Sequence, residues 1–338
     1  MFSGLTAAVV SFAVTVVLTI ACLPPIYRYC FGQGAEKKIY SRKNKPDYPP
    51  AFGGILYAPA IAAGLIGAVL TAKLTGGSLI DGGSFLPANA RIRWWACVLF
   101  ALGAALVGFA CDRVNMRMGR GFELELGYRI AFEGILLAGL VITLSRAEAT
   151  FVSIPFLGNR DLGFLYYLLF IPIAWLTLNA SRLTDGIPGL HTAASAVNAA
   201  GLGVCALLRG QNTALVVALA ALGATLAFLP FHAGRTLTPG KTGTYALGAL
   251  SVVCGVMTDM IWLPLLTGLG FVAEWFSAVL PVAVFRLSRG KRSVKTHPLH
   301  NFLKERGASD RAVTAWIAGA NLAGSALAVG LVLLGFER

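Results

Sequence analysis

Five short polar stretches interrupt an otherwise apolar chain of 338 residues. They are Lys43-Asn44-Lys45-Pro46 with Phe52-Gly53-Gly54, then Cys111-Asp112-Arg113, then Asn179 to Leu190, then Phe231 to Thr244, and finally His297-Pro298-Leu299-His300-Asn301-Phe302. Between them they hold two carboxylates, Asp112 and Asp185, each able to face a ligand or to pair with Arg113, Arg182 or Lys241. The basic side chains suit both membrane topology and phosphate binding. Cys111 is a nucleophile only if its thiolate is stabilised, and an apolar helix end is its plainer reading. Glu133 and Glu274 fall inside apolar runs, where a hydrogen-bonded packing role competes with a relay.

The elements that must position these stretches follow from composition. Hydrophobic residues make up 57% of the chain and charged residues 13%, with a mean hydropathy of +0.72. A soluble domain carries about a quarter of its residues as charge, so the solvent of this chain is largely lipid. Disorder, a secreted disulfide scaffold and a collagen-like chain are excluded by the same figures. The net charge of +13 would suggest nucleic acid in a soluble protein; here it serves topology and phosphate, and no nucleic acid is expected. The six cysteines show no CxxC spacing and read as small packing residues, without a disulfide framework or zinc site. The first apolar run, Phe2 to Leu23, is too long for a signal-peptide core and lacks a basic leader, so it reads as a retained helix.

Crossing the hydrocarbon takes about 20 apolar residues, and ten runs supply them: 3–24, 51–72, 93–111, 129–146, 163–180, 189–208, 213–231, 244–263, 266–285 and 312–335. They do not alternate, so strands are not expected. Gly- and Ala-rich segments such as Ala101-Leu102-Gly103-Ala104-Ala105 predict close helix packing. With the helix ends that flank them, the odd-numbered connections hold 6, 4, 1, 2 and 8 Lys and Arg; the even-numbered ones hold 3, 2, 1 and 0. Basic residues stay on the cytoplasmic side. The chain therefore reads as one all-α, polytopic domain over 1–338, with both termini outside. The odd connections (25–50, 112–128, 181–188, 232–243 and 286–311) build a single cytoplasmic site. A transporter would place more ionisable residues at mid-bilayer than this chain has.

The motifs resemble those of the polyprenyl-phosphate N-acetylhexosamine-1-phosphate transferases, and among them the MraY branch, the phospho-N-acetylmuramoyl-pentapeptide transferases. Asn179-Ala180-Ser181-Arg182-Leu183-Thr184-Asp185-Gly186-Ile187-Pro188-Gly189-Leu190 resembles NAxNLTDGxDGL, and Pro239-Gly240-Lys241-Thr242-Gly243-Thr244 resembles MGDTGS. Pro298-Leu299-His300 resembles the start of PLHHHF. Phe271-Val272-Ala273-Glu274 with Ser277-Ala278-Val279-Leu280 resembles the helix before it. The resemblance spans about residues 38–335. It implies a ten-helix membrane fold, transfer of a phospho-sugar from a UDP-linked donor to undecaprenyl phosphate with release of UMP, and Mg²⁺. Two anionic substrates need such countercharge.

Departures fall on the positions the resemblance makes catalytic. Paired aspartates become Cys111-Asp112, the MGDTGS aspartate becomes Lys241, the second NLTDGxDG aspartate becomes Pro188, its asparagine becomes Arg182, and the three histidines become His300-Asn301-Phe302. A cation about 4 Å from Mg²⁺ is repelled by several kcal/mol even at an effective dielectric of 20, so no metal ligands are assigned. By resemblance the catalytic candidates are Asp112, Asp185 and Cys111. The substrate-binding candidates are Lys45, Asn179, Arg182, Lys241, His297 and His300, with Lys43 beside Lys45. Lys241 could also replace the metal as a point charge on pyrophosphate. The cluster Arg289, Lys291, Arg292 and Lys295 suits anionic headgroups. The leading expectation is a degenerate homologue in a bacterial cytoplasmic membrane, with Mg²⁺-dependent transfer impaired. It would retain binding of polyprenyl phosphate, lipid-linked sugar or UDP-sugar, or a regulatory role. The alternative is an active transferase with altered metal chemistry. Partners are the bilayer, these ligands and a second copy of the chain.

Overall fold

A backbone amide in lipid has no solvent to bond, and a helix satisfies its own. The computed structural model describes residues 2–32, 49–75, 88–118, 125–288 and 298–335, and the expected apolar runs within it are helical. In chain order these are α1 (Phe2–Phe31), α2 (Tyr57–Leu74, preceded by a 3₁₀ turn at Gly53–Leu56), α3 (Ala88–Met118) and α4 (Leu126–Arg146). After them come α5 (Phe164–Leu183), α6 (Leu190–Leu208), α7 (Asn212–Ala233) and α8 (Gly240–Met257). The chain closes with α9 (Leu263–Thr267), α10 (Leu269–Leu287), α11 (Leu299–Glu305) and α12 (Asp310–Gly335). Nine of these helical stretches, among the described residues, are long and apolar enough to cross a membrane. The remaining expected span, 244–263, is the 18-residue α8, which begins on the polar Gly240-Lys241-Thr242-Gly243-Thr244. The protein is an all-α polytopic membrane protein.

Polarity is inverted relative to a water-soluble fold. Phe2, Leu70, Leu106, Ile135, Leu168, Leu280 and Leu333 are exposed, while Asp112, Glu133, Asn179, His191, His232, Glu274 and Asn321 are buried. Among the nine membrane-length helices α6 and α7 are the most enclosed and α4 and α10 the most peripheral, and α8 is buried along almost its whole length. α3 packs on α4 and α8, α5 on α8 and α10, α12 on α6, and α1 on α2 and α7. Glu133, inside α4, is held by three donors from α5 and α8: Trp175 Nε1 at 2.8 Å, Asn179 Nδ2 at 3.0 Å and the Tyr245 hydroxyl. Arg129, one turn earlier on α4, stands 3.8 Å from the same carboxylate. Glu133 is thus a packing residue with its lone pairs satisfied.

Three expectations change. Strands were not expected, yet β1 (Phe151–Ile154) and β2 (Gly158–Asp161) form an antiparallel hairpin between α4 and α5, with Phe151 opposite Asp161 and Ile154 opposite Gly158. Its amides are tied down by Ser153 N to Asp259 O and Phe156 N to Gly335 O, each 2.7 Å. Four-residue strands lie below what a 20-residue apolar window detects. Next, α3 continues to Met118, so Cys111 and Asp112 sit within a helix and the 112–128 connection is shorter than expected. Finally, the expected span over 244–263 ends early: α8 stops at Met257 and the short α9 follows, while the expected span 266–285 is the single helix α10. Asp259 with φ +57 marks the break.

Candidate functional site

The start of α8 organises one end of the bundle. Gly240 has φ +63, and a Cβ there would lie 2.2 Å from Ala51 O and 2.7 Å from Asp112 Oδ2, so the turn admits only glycine. The buried Asp112 carboxylate, reaching from α3, accepts from Lys241 N at 2.8 Å, Thr242 N at 2.8 Å and Thr242 Oγ1 at 2.6 Å. A carboxylate on the free amides of a helix start is both a cap and a favourable partner for the helix dipole. The Phe52-Gly53-Gly54 segment closes the other side, with Gly53 N to Thr238 O and Gly54 N to Pro239 O, each 2.8 Å. A Cβ on Gly54 would stand 2.0 Å from Gly243 N, so glycine permits backbone to meet backbone here.

Against this turn stands the end of α5. Lys241 Nζ donates to Arg182 O at 3.3 Å. Arg182 is buried, and α5 stops one residue later, where Thr184 Oγ1 donates to Ser181 O at 2.8 Å. Asp185 lies in the turn into α6. Its side chain is 9% exposed, its Oδ1 has no hydrogen-bond partner, and that atom is 3.9 Å from His232 Nε2. Burial pushes the Asp185 carboxyl up to about 7; the Lys241 ammonium opposes this and the Asp112 carboxylate adds to it.

Three of the chain's four histidines converge here. His232, on α7, places Nδ1 2.7 Å from Thr192 Oγ1. His191, in the first turn of α6, sits 3.1 Å from Ser181 Oγ and stacks on Phe271. Ser181 donates its own proton to Thr244 O at 2.8 Å, so His191 Nε2 donates to Ser181 and its Nδ1 is left as a buried acceptor without a partner. His300 starts α11 and is fixed by Glu274 of α10, which accepts from His300 N at 3.0 Å and meets its Nδ1 at 3.2 Å. The opposite ring edge faces the Asp185 turn: a Cβ on Gly186 would lie 2.3 Å from His300 Nε2.

The structure thus gathers Asp112, Asp185, Arg182, Lys241 and His300, with Cys111 buried beside Asp112. Asn179 is separate, because its amide group bonds Glu133 and Trp175 O deeper in the bundle. Lys43, Lys45, His297 and the 289–295 basic cluster lie outside the described residues. Sequence reasoning missed His191, His232, Thr192 and Thr242. The available signal was the placement of scarce histidines: His191 directly follows one motif, and His232 begins the connection carrying another.

These residues do not fit Mg²⁺. That ion takes six oxygens at about 2.1 Å and is usually held by one or two carboxylates with water and phosphate. Both Asp112 oxygens already accept hydrogen bonds, Lys241 adds positive charge, and Asp185 is the single carboxylate left to offer a ligand oxygen among the residues gathered here. Among the described residues, no group of three or more His, Cys, Asp or Glu could hold a metal. What the end of the bundle offers is an ammonium, a buried guanidinium-bearing helix end and histidines held in fixed orientation. The chemistry of that set suits an anionic group.

Comparison with known proteins agrees with the family resemblance. The model of glycosyl transferase family 4 matches residues 94–259. The chain is 31% identical over 320 residues to the phospho-N-acetylmuramoyl-pentapeptide-transferase of Geobacillus kaustophilus (strain HTA426), covering 93% of both chains. It is 31% identical over 330 residues to that of Symbiobacterium thermophilum, covering 95% of this chain and 92% of the relative. With the same-named protein of Clostridium perfringens (strain 13 / Type A) the identity is 27% over 306 residues, covering 90% of each.

Proposed function

Because this chain belongs to the phospho-N-acetylmuramoyl-pentapeptide-transferase family, we propose that it is a cell-envelope protein of the bacterial cytoplasmic membrane. In this reading it keeps the family's groove for polyprenyl phosphate, lipid-linked sugar or UDP-sugar but has lost Mg²⁺-dependent phospho-sugar transfer. One observation carries the reading: the Asp112 carboxylate is engaged by two amides and a hydroxyl, and the residue it caps is a lysine. The site faces the cytoplasm and both termini lie outside, supported by the concentration of Lys and Arg in the odd connections. The whole chain acts as one domain, and a homodimer forms part of the same proposal, checked by the mass of the purified complex. A second reading, an active transferase with altered metal chemistry, is favoured by the unpartnered Asp185 oxygen near His232.

The test is UMP release from UDP-MurNAc-pentapeptide and undecaprenyl phosphate by purified protein, with Mg²⁺ and with EDTA, run beside a binding measurement for each substrate. Binding without turnover supports the leading reading. Turnover that disappears in Asp185→Asn replaces it with the second.

A further inference from the structure

We propose that Lys241 is the resident cation of this site, so that it takes a phosphate monoester or diphosphate with no divalent metal. This rests on the reading that the groove retains a phosphate-bearing ligand, and names how that ligand is neutralised. The ammonium is placed by backbone geometry that leaves little freedom. Its own amide is bonded to Asp112, its preceding residue requires φ +63, and the segment from Ala51 to Gly54 braces the turn from behind. The side chain then reaches Arg182 O at 3.3 Å and lies close enough to Asp185 to favour its ionised form.

The carbonyl oxygen at the end of α5 thus meets this ammonium directly, and the carboxylates of the next turn and of α3 feel its charge. Hard oxygen ligands of this kind ordinarily collect around a metal ion; here a covalently attached cation stands among them. Asp112 points both oxygens at the helix start, and Asp185 Oδ1 has no hydrogen bond although it is nearly buried. The arrangement therefore keeps positive charge next to an unsatisfied polar atom that a bound, partly protonated phosphate can engage. One ammonium carries half the charge of a divalent ion, so binding should be modest and sensitive to salt.

Two measurements on the full chain in detergent test this. Mn²⁺ is titrated alone, followed by its spin signal, and the thermal midpoint is compared in Mg²⁺ and in EDTA. UDP and undecaprenyl phosphate are then titrated separately in EDTA and in Mg²⁺, which distinguishes a nucleotide from a lipid phosphate as the source of the anion. The expected result is no saturable Mn²⁺ site, one midpoint in both buffers, and equal affinity with and without metal for whichever phosphate binds. Lys241→Met should weaken that phosphate by about tenfold or more, and Lys241→Arg should restore most of the loss, because a charge-assisted contact contributes about 1.5–3 kcal/mol. A saturable Mn²⁺ site, or binding strengthened about tenfold by Mg²⁺, overturns the inference while leaving phosphate binding in place. Failure of both ligands to bind under either condition removes the functional reading and this inference together.

Discussion

Removing the Asp112 carboxylate should detach the start of α8. One buried side chain there satisfies three donors, at 2.8, 2.8 and 2.6 Å, and stands at the positive end of an 18-residue helix. Hydrogen bonds to a charged group contribute about 1.5–3 kcal/mol each, and loss of an N-cap alone costs about 0.5–2 kcal/mol. These contributions overlap, because all act through one carboxylate. Breaking a buried charge from its partners gives about 3–5 kcal/mol as the expected loss for Asp112→Ala. Asp112→Asn keeps one acceptor but turns an amide N–H toward the Thr242 N–H or hydroxyl, so it should lose about half as much. For a chain of this size the alanine variant should unfold on the order of 5 °C lower, measured by tryptophan fluorescence on detergent-solubilised protein. Cys111→Ser, one residue away and without these bonds, is the control. An alanine variant with the parent's midpoint would refute the capping role and return Asp112 to the pool of groups available for chemistry.

Two further outcomes follow from the same geometry. Asp185 has a folded-state carboxyl at about 7 against 3.8 when free, so the stability it allows is complete below pH 4 and is lost as pH rises through 7. Asp185→Asn should therefore match the parent near pH 4 and exceed it by up to about 4 kcal/mol at pH 8; thermal midpoints across that range check this, and a pH-independent difference would contradict it. Gly54→Ala would drive a Cβ to 2.0 Å from Gly243 N and 2.6 Å from Pro239 O, both backbone atoms. Overpacking of this kind costs about 1–3 kcal/mol, whereas Gly134→Ala, exposed on α4 with nothing within 4 Å, should leave the midpoint unchanged or raise it.

Helix existence was legible because a run of about 20 apolar residues has few other uses. The same window could not see the four-residue hairpin at Phe151–Asp161 or the break after Met257, which depend on turns and not on hydropathy. Motif spacing singled out Asp112 and Lys241, and the structure joins them. What spacing could not reveal is that the bond runs from the Lys241 amide, 129 residues away, to a carboxylate serving as a cap. Glu274 was read as a packing group within a span; its second role, orienting His300 toward Gly186, depends on the fold of α11 against α10. His191 and His232 escaped notice because nothing in sequence distinguishes a buried histidine from a solvated one until the opposing helices are known.

The buried Glu133 also constrains how the chain can be made. Its donors arrive late: Trp175 is 42 residues downstream and Tyr245 112 residues downstream. At about 5–20 residues per second, the ribosome adds Tyr245 on the order of ten seconds after Glu133. A lone charge in a span costs on the order of 3 kcal/mol on insertion scales, and α4 must enter before its partners exist. Arg129, four residues earlier on the same helix and 3.8 Å from the carboxylate in the finished fold, is a counter-ion present throughout that interval. α4 thus carries its own temporary neutralisation through the insertion machinery and hands the carboxylate on to α5 and α8 as they are delivered.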